Sequence, residues 1–329
     1  MKNNAIVSTL IAAAIFTASS ALLAKTPENF VYTSSGELEA ASSILARPDI
    51  DGAQIVYSWR SLEPERNKYN FSQIERDLAR LEGAGKKLFI QIQDRFFEAH
   101  ARYVPDYLLK EPRYGGGLAP QFDNPGEGKP VGSGWVARQW DPAVRERYQA
   151  LLAALAARFD GRLYGVNLPE TAIDIDEKKP PIGFSCDKYF AGEMANLTFA
   201  RQAFRKSHVV QYVNFWPCEW NNDRNYMGRL FAFARANNIG LGGPDIVPNH
   251  KAQMKNAYPF FHQYGNKLPL VAMAVQEPTL TYKNPETGHP FSKAEFVQFA
   301  ESYLNADVIF WSTQSPWLTS EKSAKNAAN

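Results

Sequence analysis

The feature that most constrains this chain is a regular alternation of short apolar segments with longer amphipathic ones. Eight short segments are rich in Val, Ile, Leu, Phe and Tyr, and they alternate with stretches whose apolar residues recur at helical spacing. Continuously apolar strands are typical of a parallel sheet that is buried on both faces. The alternation therefore predicts an α/β fold. The predicted strands cover residues 29–34, 52–59, 88–93, 163–168, 208–216, 239–247, 268–277 and 306–314.

Eight consecutive strand–helix units are the pattern of a (β/α)8 TIM barrel. The alternative is an open, doubly wound parallel sheet, which is typically marked by a glycine-rich phosphate loop after its first strand. The segment "YTSSGEL" stands at that point and contains a single glycine, Gly36. The chain has 329 residues, which would allow two ordinary domains, but α/β barrels commonly use this length as one. We therefore predict a single TIM barrel.

Helix-start signals support several of the predicted helices. Segments 72–75 and 292–295 each pair a serine with a glutamate three residues later, which is the spacing of a capping box. Asp141 directly precedes Pro142, and this order suits an N-cap residue followed by the first helical position. Residues 94–140, before that helix, are polar and rich in Gly and Pro, and they predict a long loop.

The N-terminal segment, residues 1–24, has the pattern of a secretory signal peptide. A lysine precedes an apolar run from Ala5 to about Phe16, and the small-residue segments "ASSA" and "ALLA" follow as cleavage sites. The run is too short for a stable membrane span. We expect export into a bacterial periplasm or beyond, no membrane association after removal of the signal, a folded domain over residues 25–318, and a disordered tail over 319–329.

Charge and motif content exclude several function classes. The chain has 36 Lys and Arg against 34 Asp and Glu and shows no basic stripe, so nucleic acid is not an expected partner. The five histidines lack metal-ligand spacing, and no metal or other cofactor is predicted. Segment 174–183 begins like a calcium loop but lacks its glycine and its later glutamate. The absence of a Gly-x-Ser-x-Gly motif argues against a serine hydrolase.

Two cysteines, Cys186 and Cys218, are the whole cysteine content of the chain. In an oxidising compartment they could form a disulfide. Two buried free thiols are the alternative, because a sequence does not show the separation of two residues in space. Both possibilities stay open at this point.

In a TIM barrel the functional site lies at the C-terminal ends of the strands. Carboxylates, amides and tryptophans occupy these positions here. Two carboxylates can cleave a glycosidic bond between them, one as proton donor and the other as nucleophile or base. Tryptophans supply platforms for sugar rings, so the pattern predicts a saccharide site. The residues are Trp59, Arg60, Gln93, Asp94, Asn167, Glu170, Trp216, Glu219, Asp245, Gln276, Glu277 and Trp311.

Residues 57–92 carry a more specific signal. They contain an apolar strand ending in Trp59, a Leu-Glu-Pro turn at 62–64, a Tyr-x-Phe segment at 69–71 before a helix, and Gly-Lys at 85–86 before the next strand. This order resembles the second βαβ unit of clan A glycoside hydrolases, especially the β-galactosidase-like and cellulase-like members. The layout of strands also fits that clan from about residue 29 to 317.

The resemblance implies the identity of two catalytic residues. The clan places its acid/base glutamate at the end of strand four and its nucleophilic glutamate at the end of strand seven, which correspond here to Glu170 and Glu277. A tryptophan commonly ends strand eight, and Trp311 matches it. The clan usually has Asn directly before the acid/base, whereas Pro169 stands there and Asn167 lies three positions before Glu170. Either Asn167 reaches the sugar 2-hydroxyl by another geometry, or that contact is lost.

The resemblance also implies a mechanism. Retaining glycosidases hold the two carboxyl groups about 5–5.5 Å apart, and inverting enzymes hold them roughly 6.5–9.5 Å apart. Opposite strands of a narrow barrel can deliver the shorter distance, so we expect retention. Glu170 should be protonated at rest beside an apolar wall, and Glu277 should be ionised. The expected protein is a β-glycosidase that acts on an oligo- or polysaccharide, without a cofactor.

Plainer explanations exist for several of these residues. Glu63 lies in the loop after strand two and fits a structural role. Glu219 and Asp245 are rivals for the acid or base role, although substrate binding or support of the site is favoured for both. A second reading of the whole protein is a barrel that binds saccharide without cleaving it, and Pro169 is its main support. The remaining tryptophans, which fit either the cleft rim or plain packing, are Trp135, Trp140 and Trp317.

Overall fold

A computed structural model describes residues 26–123 and 132–319 of the chain. The predicted signal peptide and residues 320–329 of the predicted tail lie outside the described residues. Eight parallel strands close into a barrel, which confirms the predicted TIM barrel. The barrel strands are Glu28–Ser34, Gly52–Ser58, Lys87–Gln93, Gly165–Leu168, His208–Tyr212, Gly240–Gly243, Val271–Val275 and Val308–Ser312. The last four end earlier than predicted, so the polar residues of the barrel mouth lie beyond the sheet.

Each strand pairs with its neighbour in sequence order, and the first closes the barrel by pairing with the eighth. Side chains of one strand alternate between the barrel interior and the surrounding helices. Phe30, Phe89 and Phe310 pack against one another inside the barrel. Val31 and Trp311 belong instead to the larger core between the sheet and the helices. A buried layer therefore lies on each side of the sheet, as the continuously apolar strands predicted.

Helices surround the barrel. The longer ones are Ser72–Gly83, Pro142–Phe159, Cys186–Ala203 and Tyr226–Ala236, and shorter ones are Ser42–Leu45, Trp59–Leu62, Asp106–Lys110, Lys251–Asn256, Tyr258–Tyr264, Lys293–Phe299 and Pro316–Thr319. Tighter 3-10 turns occur at Pro112–Tyr114, Gly265–Lys267 and Pro278–Thr281, and a π-helical turn at Ala300–Leu304. Within residues 26–123 and 132–319, no helix is long and apolar enough to cross a membrane.

The predicted caps have mixed outcomes. The capping box at 292–295 is confirmed, and the Asp141 side chain accepts a hydrogen bond from the Ala143 amide at 2.9 Å as predicted. The capping box at 72–75 is wrong. Ser72 is already inside the helix, and its hydroxyl donates to the Asn70 side chain at 2.8 Å instead of capping the following turn.

Residues 94–140 are more ordered than the predicted loop. They contain a three-stranded antiparallel sheet, formed by Arg95–Phe96, Leu118–Asp123 and Gly132–Ala137. The strands approach so closely that a Cβ added to Gly134 would lie 1.9 Å from a main-chain oxygen, which explains why glycine interrupts the strand pattern here. The Phe122 amide donates to the Asp174 carbonyl at 2.7 Å, and this bond joins the small sheet to the loop after the fourth barrel strand.

Candidate active site

Three carboxylates gather at the C-terminal mouth of the barrel. Glu170, Asp245 and Glu277 each stand two residues beyond the end of a barrel strand, the fourth, sixth and seventh respectively. Burial raises the pKa of the Tyr32 hydroxyl to about 12, and Glu277, Asp245 and Glu170 each add to that rise. The three carboxylates are therefore near enough to this hydroxyl to act on it electrostatically. Tyr32 was not predicted as a site residue, although strand alternation places it on the inner face of the first strand.

Glu170 keeps its proton to a higher pH than an ordinary glutamate does. Burial raises its pKa to about 7, while the nearby Arg95 lowers it and Asp245 raises it. The Asn214 side-chain amide lies 3.4 Å from Glu170 Oε2 and favours the ionised form. A carboxyl group with this pKa can donate a proton and later accept one, which is what an acid/base residue requires. The rise in the pKa of Glu170 has the direction predicted from the sequence.

Hydrogen bonds hold the main chain around Glu170 in place. Arg95 donates a hydrogen bond from Nη1 to the Glu170 carbonyl and another to the Tyr189 hydroxyl at 2.7 Å. The Tyr189 hydroxyl in turn donates to the Thr171 carbonyl at 3.0 Å, and the Thr171 amide donates to the Tyr212 carbonyl at the same distance. These bonds fix the segment that carries Glu170. These hydrogen bonds join residues that are far apart along the chain, so local sequence patterns could not predict them.

Glu277 is positioned from the neighbouring eighth strand. The Ser312 hydroxyl donates to Glu277 Oε1 at 2.6 Å, which uses one carboxylate oxygen and leaves the other for a reacting group. The turn that follows, Pro278–Thr281, is held by a hydrogen bond of 2.6 Å from the Thr279 hydroxyl to Asp245. Asp245 therefore supports the Glu277 segment, and burial raises its own pKa.

Asn214 was missed in the sequence analysis. It lies two residues beyond the fifth strand and links Glu170 to the helix Lys251–Asn256, because the Gln253 side chain donates to Asn214 Oδ1 at 3.4 Å. Asn167, the amide expected to reach the substrate, is instead fully buried within the fourth strand, in register with Gln91. The structure thus places Asn214, and not Asn167, beside Glu170.

The three tryptophans predicted as sugar platforms are buried, so no ring face is exposed to a substrate. Trp59 and Trp311 have no exposed surface, and Trp216 is only 2% exposed. Trp311 lies on the outer side of the sheet, where it packs against Trp317 and donates from Nε1 to the Asn29 side chain at 2.8 Å. The prediction misjudged these residues because it used their position along the strand and not the face on which they lie.

Three polar residues predicted to bind substrate have other partners. Arg60 is exposed and forms an ion pair with Asp106 at 2.6 Å. Asp94 is fully buried and pairs with Arg95. Glu219 accepts a hydrogen bond of 2.9 Å from the Met227 amide and so caps the helix Tyr226–Ala236. All three side chains therefore stabilise the structure around the barrel mouth.

The three tryptophans that could lie either at the cleft rim or in the core are mainly packed against other side chains. Trp140 is 4% exposed and packs edge-on against Phe184, and Trp317 packs against Trp311. Trp135 is half-buried beneath the Arg102 guanidinium, which lies 3.8 Å from the ring centroid. Other aromatic side chains, which the sequence analysis did not propose, are exposed in the loops after the third and fifth strands, namely Phe97, Phe122, Phe215 and Trp220.

The two cysteines form a disulfide. Cys186 and Cys218 are bonded, with their Cα atoms 6.2 Å apart. The bond joins the start of the helix Cys186–Ala203 to the loop after the fifth strand. Both segments border the barrel mouth, so the disulfide limits the movement of its rim. No group of three or more His, Cys, Asp or Glu side chains that could hold a metal occurs within residues 26–123 and 132–319.

The fold and the carboxylate cluster define a TIM barrel with an acidic mouth, an architecture that hosts many chemistries. The chain is similar to the catalytic domain of β-amylase from Paenibacillus polymyxa, at 7% identity and a TM-score of 0.59, over 92% of this chain and 95% of that chain. It is also similar to a thermostable mutant of a xylanase from Cellvibrio japonicus, at 14% identity and a TM-score of 0.51, over 90% of both chains.

A third similar structure is a cold-adapted β-galactosidase from Rahnella sp. R3, at 12% identity and a TM-score of 0.51, over 88% of this chain and 51% of that chain. At such identities these likenesses show a shared fold. No protein-family model and no curated protein sequence matches the chain.

Proposed function

We propose that this protein is an exported glycoside hydrolase that cleaves β-linked saccharides with retention of configuration. The observation that carries the proposal is the position of Glu170, Asp245 and Glu277, each two residues beyond a strand at the C-terminal end of the barrel, together with the pKa of Glu170, which burial raises to about 7. Glycoside hydrolysis needs one protonated and one ionised carboxyl group beside the same bond. The fold shared with xylanase and β-galactosidase structures supports the same reading.

In the first step of the proposed reaction, Glu170 donates its proton to the leaving oxygen while Glu277 attacks the anomeric carbon. A covalent bond forms between the sugar and a Glu277 oxygen as the glycosidic bond breaks. In the second step, the ionised Glu170 takes a proton from water, and the resulting hydroxide equivalent displaces Glu277. Ser312 holds Glu277 through one oxygen, and Asn214 lies where an amide could bind the sugar beside Glu170.

Exposed aromatic rings supply candidate platforms for the substrate. Phe215 is next to Asn214, and its carbonyl accepts a hydrogen bond of 2.8 Å from the Thr171 hydroxyl, so it borders the Glu170 segment. Phe97 lies in the loop after the third strand and is 49% exposed. These rings can take the role that the sequence analysis gave to the buried tryptophans. The small sheet of that loop would form one wall of a cleft, which favours cleavage within a chain.

Export is proposed on two grounds. The pattern of residues 1–24 is that of a signal peptide. The Cys186–Cys218 disulfide suits an oxidising compartment such as the periplasm or the exterior. Fractionation of the native host, followed by N-terminal sequencing of the mature chain, tests both points.

The catalytic proposal is tested with a panel of aryl β-glycosides and β-glucans, using the wild type and the Glu277→Ala variant. We expect the wild type to hydrolyse at least one member and the variant to be inactive towards it. Urea unfolding of both proteins controls for loss of structure. Hydrolysis that survives loss of Glu277 would remove the assigned nucleophile.

A second candidate function is saccharide binding without cleavage. It is favoured by Pro169, which stands where clan A glycoside hydrolases usually have Asn, and by the complete burial of Asn167. The same panel separates the two functions. Measurable binding with no turnover of any substrate, under conditions where the protein is folded, would favour this candidate.

A further inference from the structure

A concave surface outside the carboxylate cluster lies among the segments that follow the fifth and sixth strands. It is a cavity of about 600 Å³ between the loop after the fifth strand and the helices after the sixth. We call it the lysine groove, and its lining includes Asn221, Asn249, Lys251, Met254, Lys255 and Phe260. The catalytic proposal uses none of these residues. Amides, two ammonium groups and apolar side chains in one groove are suited to a polar ligand that also has an apolar face.

The lysine groove carries two positive charges. Lys251 and Lys255 are both exposed and stand one turn apart on the helix Lys251–Asn256. Neither forms an ion pair within residues 26–123 and 132–319, whereas Lys87 and Lys110, for example, pair with carboxylates. Two neighbouring cations repel each other, and an anionic ligand would relieve that repulsion.

An exposed indole stands next to these cations. Trp220 is 44% exposed, and the Lys255 Nζ atom lies 4.8 Å from the centroid of its ring. The loop that carries Trp220 is held in place, because the Asn221 amide donates to Asn256 Oδ1 at 2.8 Å and Cys218 is bonded to Cys186. A rigid aromatic ring beside an ammonium group can bind a sugar through its apolar face and its anionic substituent together.

The helix of the lysine groove is also linked to Glu170 through hydrogen bonds. The helix that carries both lysines also carries Gln253, which donates to Asn214, and the Asn214 amide contacts Glu170. The distance from the acid to the groove is therefore bridged by two side chains and one short helix. A saccharide that occupied the barrel mouth could extend across this helix into the groove.

From these observations we propose that the lysine groove binds an acidic sugar residue of the substrate, one that bears a carboxylate or a sulfate group. This inference rests on the proposed function and deepens it, because it makes the substrate an acidic polysaccharide. Lys251 and Lys255 bind the anionic group, and Trp220 contacts the sugar ring.

The test is isothermal titration calorimetry of the full chain with three β-linked oligosaccharides of equal length: an oligoglucuronate, a sulfated gluco-oligosaccharide and a neutral gluco-oligosaccharide. The variants are the double change Lys251→Gln with Lys255→Gln, and Trp220→Ala. The matched control is Arg205→Gln with Lys206→Gln, which removes two exposed charges before the fifth strand, at the opposite end of the barrel. Inorganic sulfate is titrated as a separate ligand.

We expect the wild type to bind at least one acidic oligosaccharide about ten-fold more tightly than the neutral one, since charge-assisted hydrogen bonds are the stronger ones. The lysine double variant should lose that preference, Trp220→Ala should weaken binding of acidic and neutral ligands alike, and the control should match the wild type. Salt of about 200 mM should weaken binding to the wild type relative to about 20 mM, because it screens the charges. Which acidic ligand binds identifies the anion.

Equal binding of acidic and neutral ligands, equal behaviour of the lysine and control variants, or binding of free sulfate as tight as that of the sulfated sugar would overturn the proposal. Its failure is distinguishable from failure of the catalytic proposal, because titration does not require turnover. Hydrolysis of a neutral glycan without a charge-dependent preference would overturn the lysine groove alone. Selective binding of acidic sugar without hydrolysis of any glycan would overturn catalysis alone.

Discussion

Two buried arginine networks have nearly the same chemistry and different positions in the barrel. Arg95 lies between Asp94 and Glu193, at 2.9 and 3.1 Å, and all three are at most 3% exposed. Arg147 lies in the long helix Pro142–Phe159 and pairs with the fully buried Glu63 at 2.5 Å. Each is a charged group that would be costly to bury alone and is stabilised by an opposite charge.

The difference lies in what each network touches. The Arg95 network donates to the carbonyl of Glu170 and also lowers the pKa of its carboxyl group. The Arg147 network contacts the Trp59 indole through Glu63, at 3.0 Å, and the Tyr107 hydroxyl. In the described part of the chain it forms no hydrogen bond with Glu170, Asp245 or Glu277. A buried ion pair is therefore weak evidence of function by itself. Its connection to the barrel mouth gives the Arg95 network a positioning role.

The largest expected contrast is between two glutamates, Glu277 and Glu63. Glu277→Gln should reduce turnover by roughly 10⁴-fold, as loss of a nucleophile does, with little change in stability. Glu63→Gln should leave turnover of the folded protein nearly unchanged and reduce the free energy of unfolding by about 3 kcal/mol, because it leaves the Arg147 charge uncompensated. Steady-state kinetics and urea unfolding measure the two effects. A large loss of turnover in folded Glu63→Gln would erase the distinction between the networks.

The next contrast changes the arginines themselves. Arg95→Met and Arg147→Met should each lower the free energy of unfolding by about 3–5 kcal/mol, because each leaves a buried carboxylate without its cation. Only Arg95→Met should also move the alkaline limb of the kcat/KM profile to higher pH, because the cation that lowers the pKa of Glu170 is gone.

Arg95→Lys keeps the charge and covers the case in which Arg95→Met fails to fold. It should retain the wild-type alkaline limb but lower kcat, because one ammonium group cannot reproduce the directed bonds of a guanidinium group. An unshifted limb in folded Arg95→Met, or equal shifts from both Met variants, would contradict the positioning role.

The smallest expected effect concerns pH and stability. The pKa of Glu170 is about 7 in the folded protein against an ordinary value of 4.5, so its contribution to stability is lost as pH rises through that interval. Glu170→Gln does not titrate, and it should match the wild type at low pH and exceed it by about 1 kcal/mol above pH 7, a value reduced for partial solvent screening. Glu63→Gln should be less stable than the wild type at both pH values. Thermal unfolding of the wild type and both variants, at low pH and above pH 7, shows whether each stability difference has the predicted sign.

Much of the fold could be predicted, because the eight apolar strands and the helical spacing between them are local patterns. The small sheet between residues 94 and 140 was missed, since glycines such as Gly134 interrupt its strands. The carboxylates Glu170, Asp245 and Glu277 could be placed because each follows a recognisable strand end. Trp311 could have been assigned to the outer face from its neighbour Phe310, which points inward.

Other parts of the site depend on contacts between distant segments, which periodicity does not encode. The bond from Arg95 to the Glu170 carbonyl joins residues 75 positions apart, and the bond from Asn214 to Glu170 spans 44. The Cys186–Cys218 disulfide was left open for the same reason. What a sequence shows well is which side chains end a strand; what it does not show is which of them meet.

The most direct test of the two-glutamate mechanism is the anomeric configuration of the glycosyl azide formed when azide is added to inactive variants with an activated aryl β-glycoside. If Glu170 is the acid/base and Glu277 the nucleophile, Glu170→Ala should still form the covalent intermediate, and azide should then give the β-glycosyl azide. Glu277→Ala should let azide attack the substrate directly and give the α-glycosyl azide. The opposite pattern of products, or full hydrolytic activity in either variant, would contradict the account.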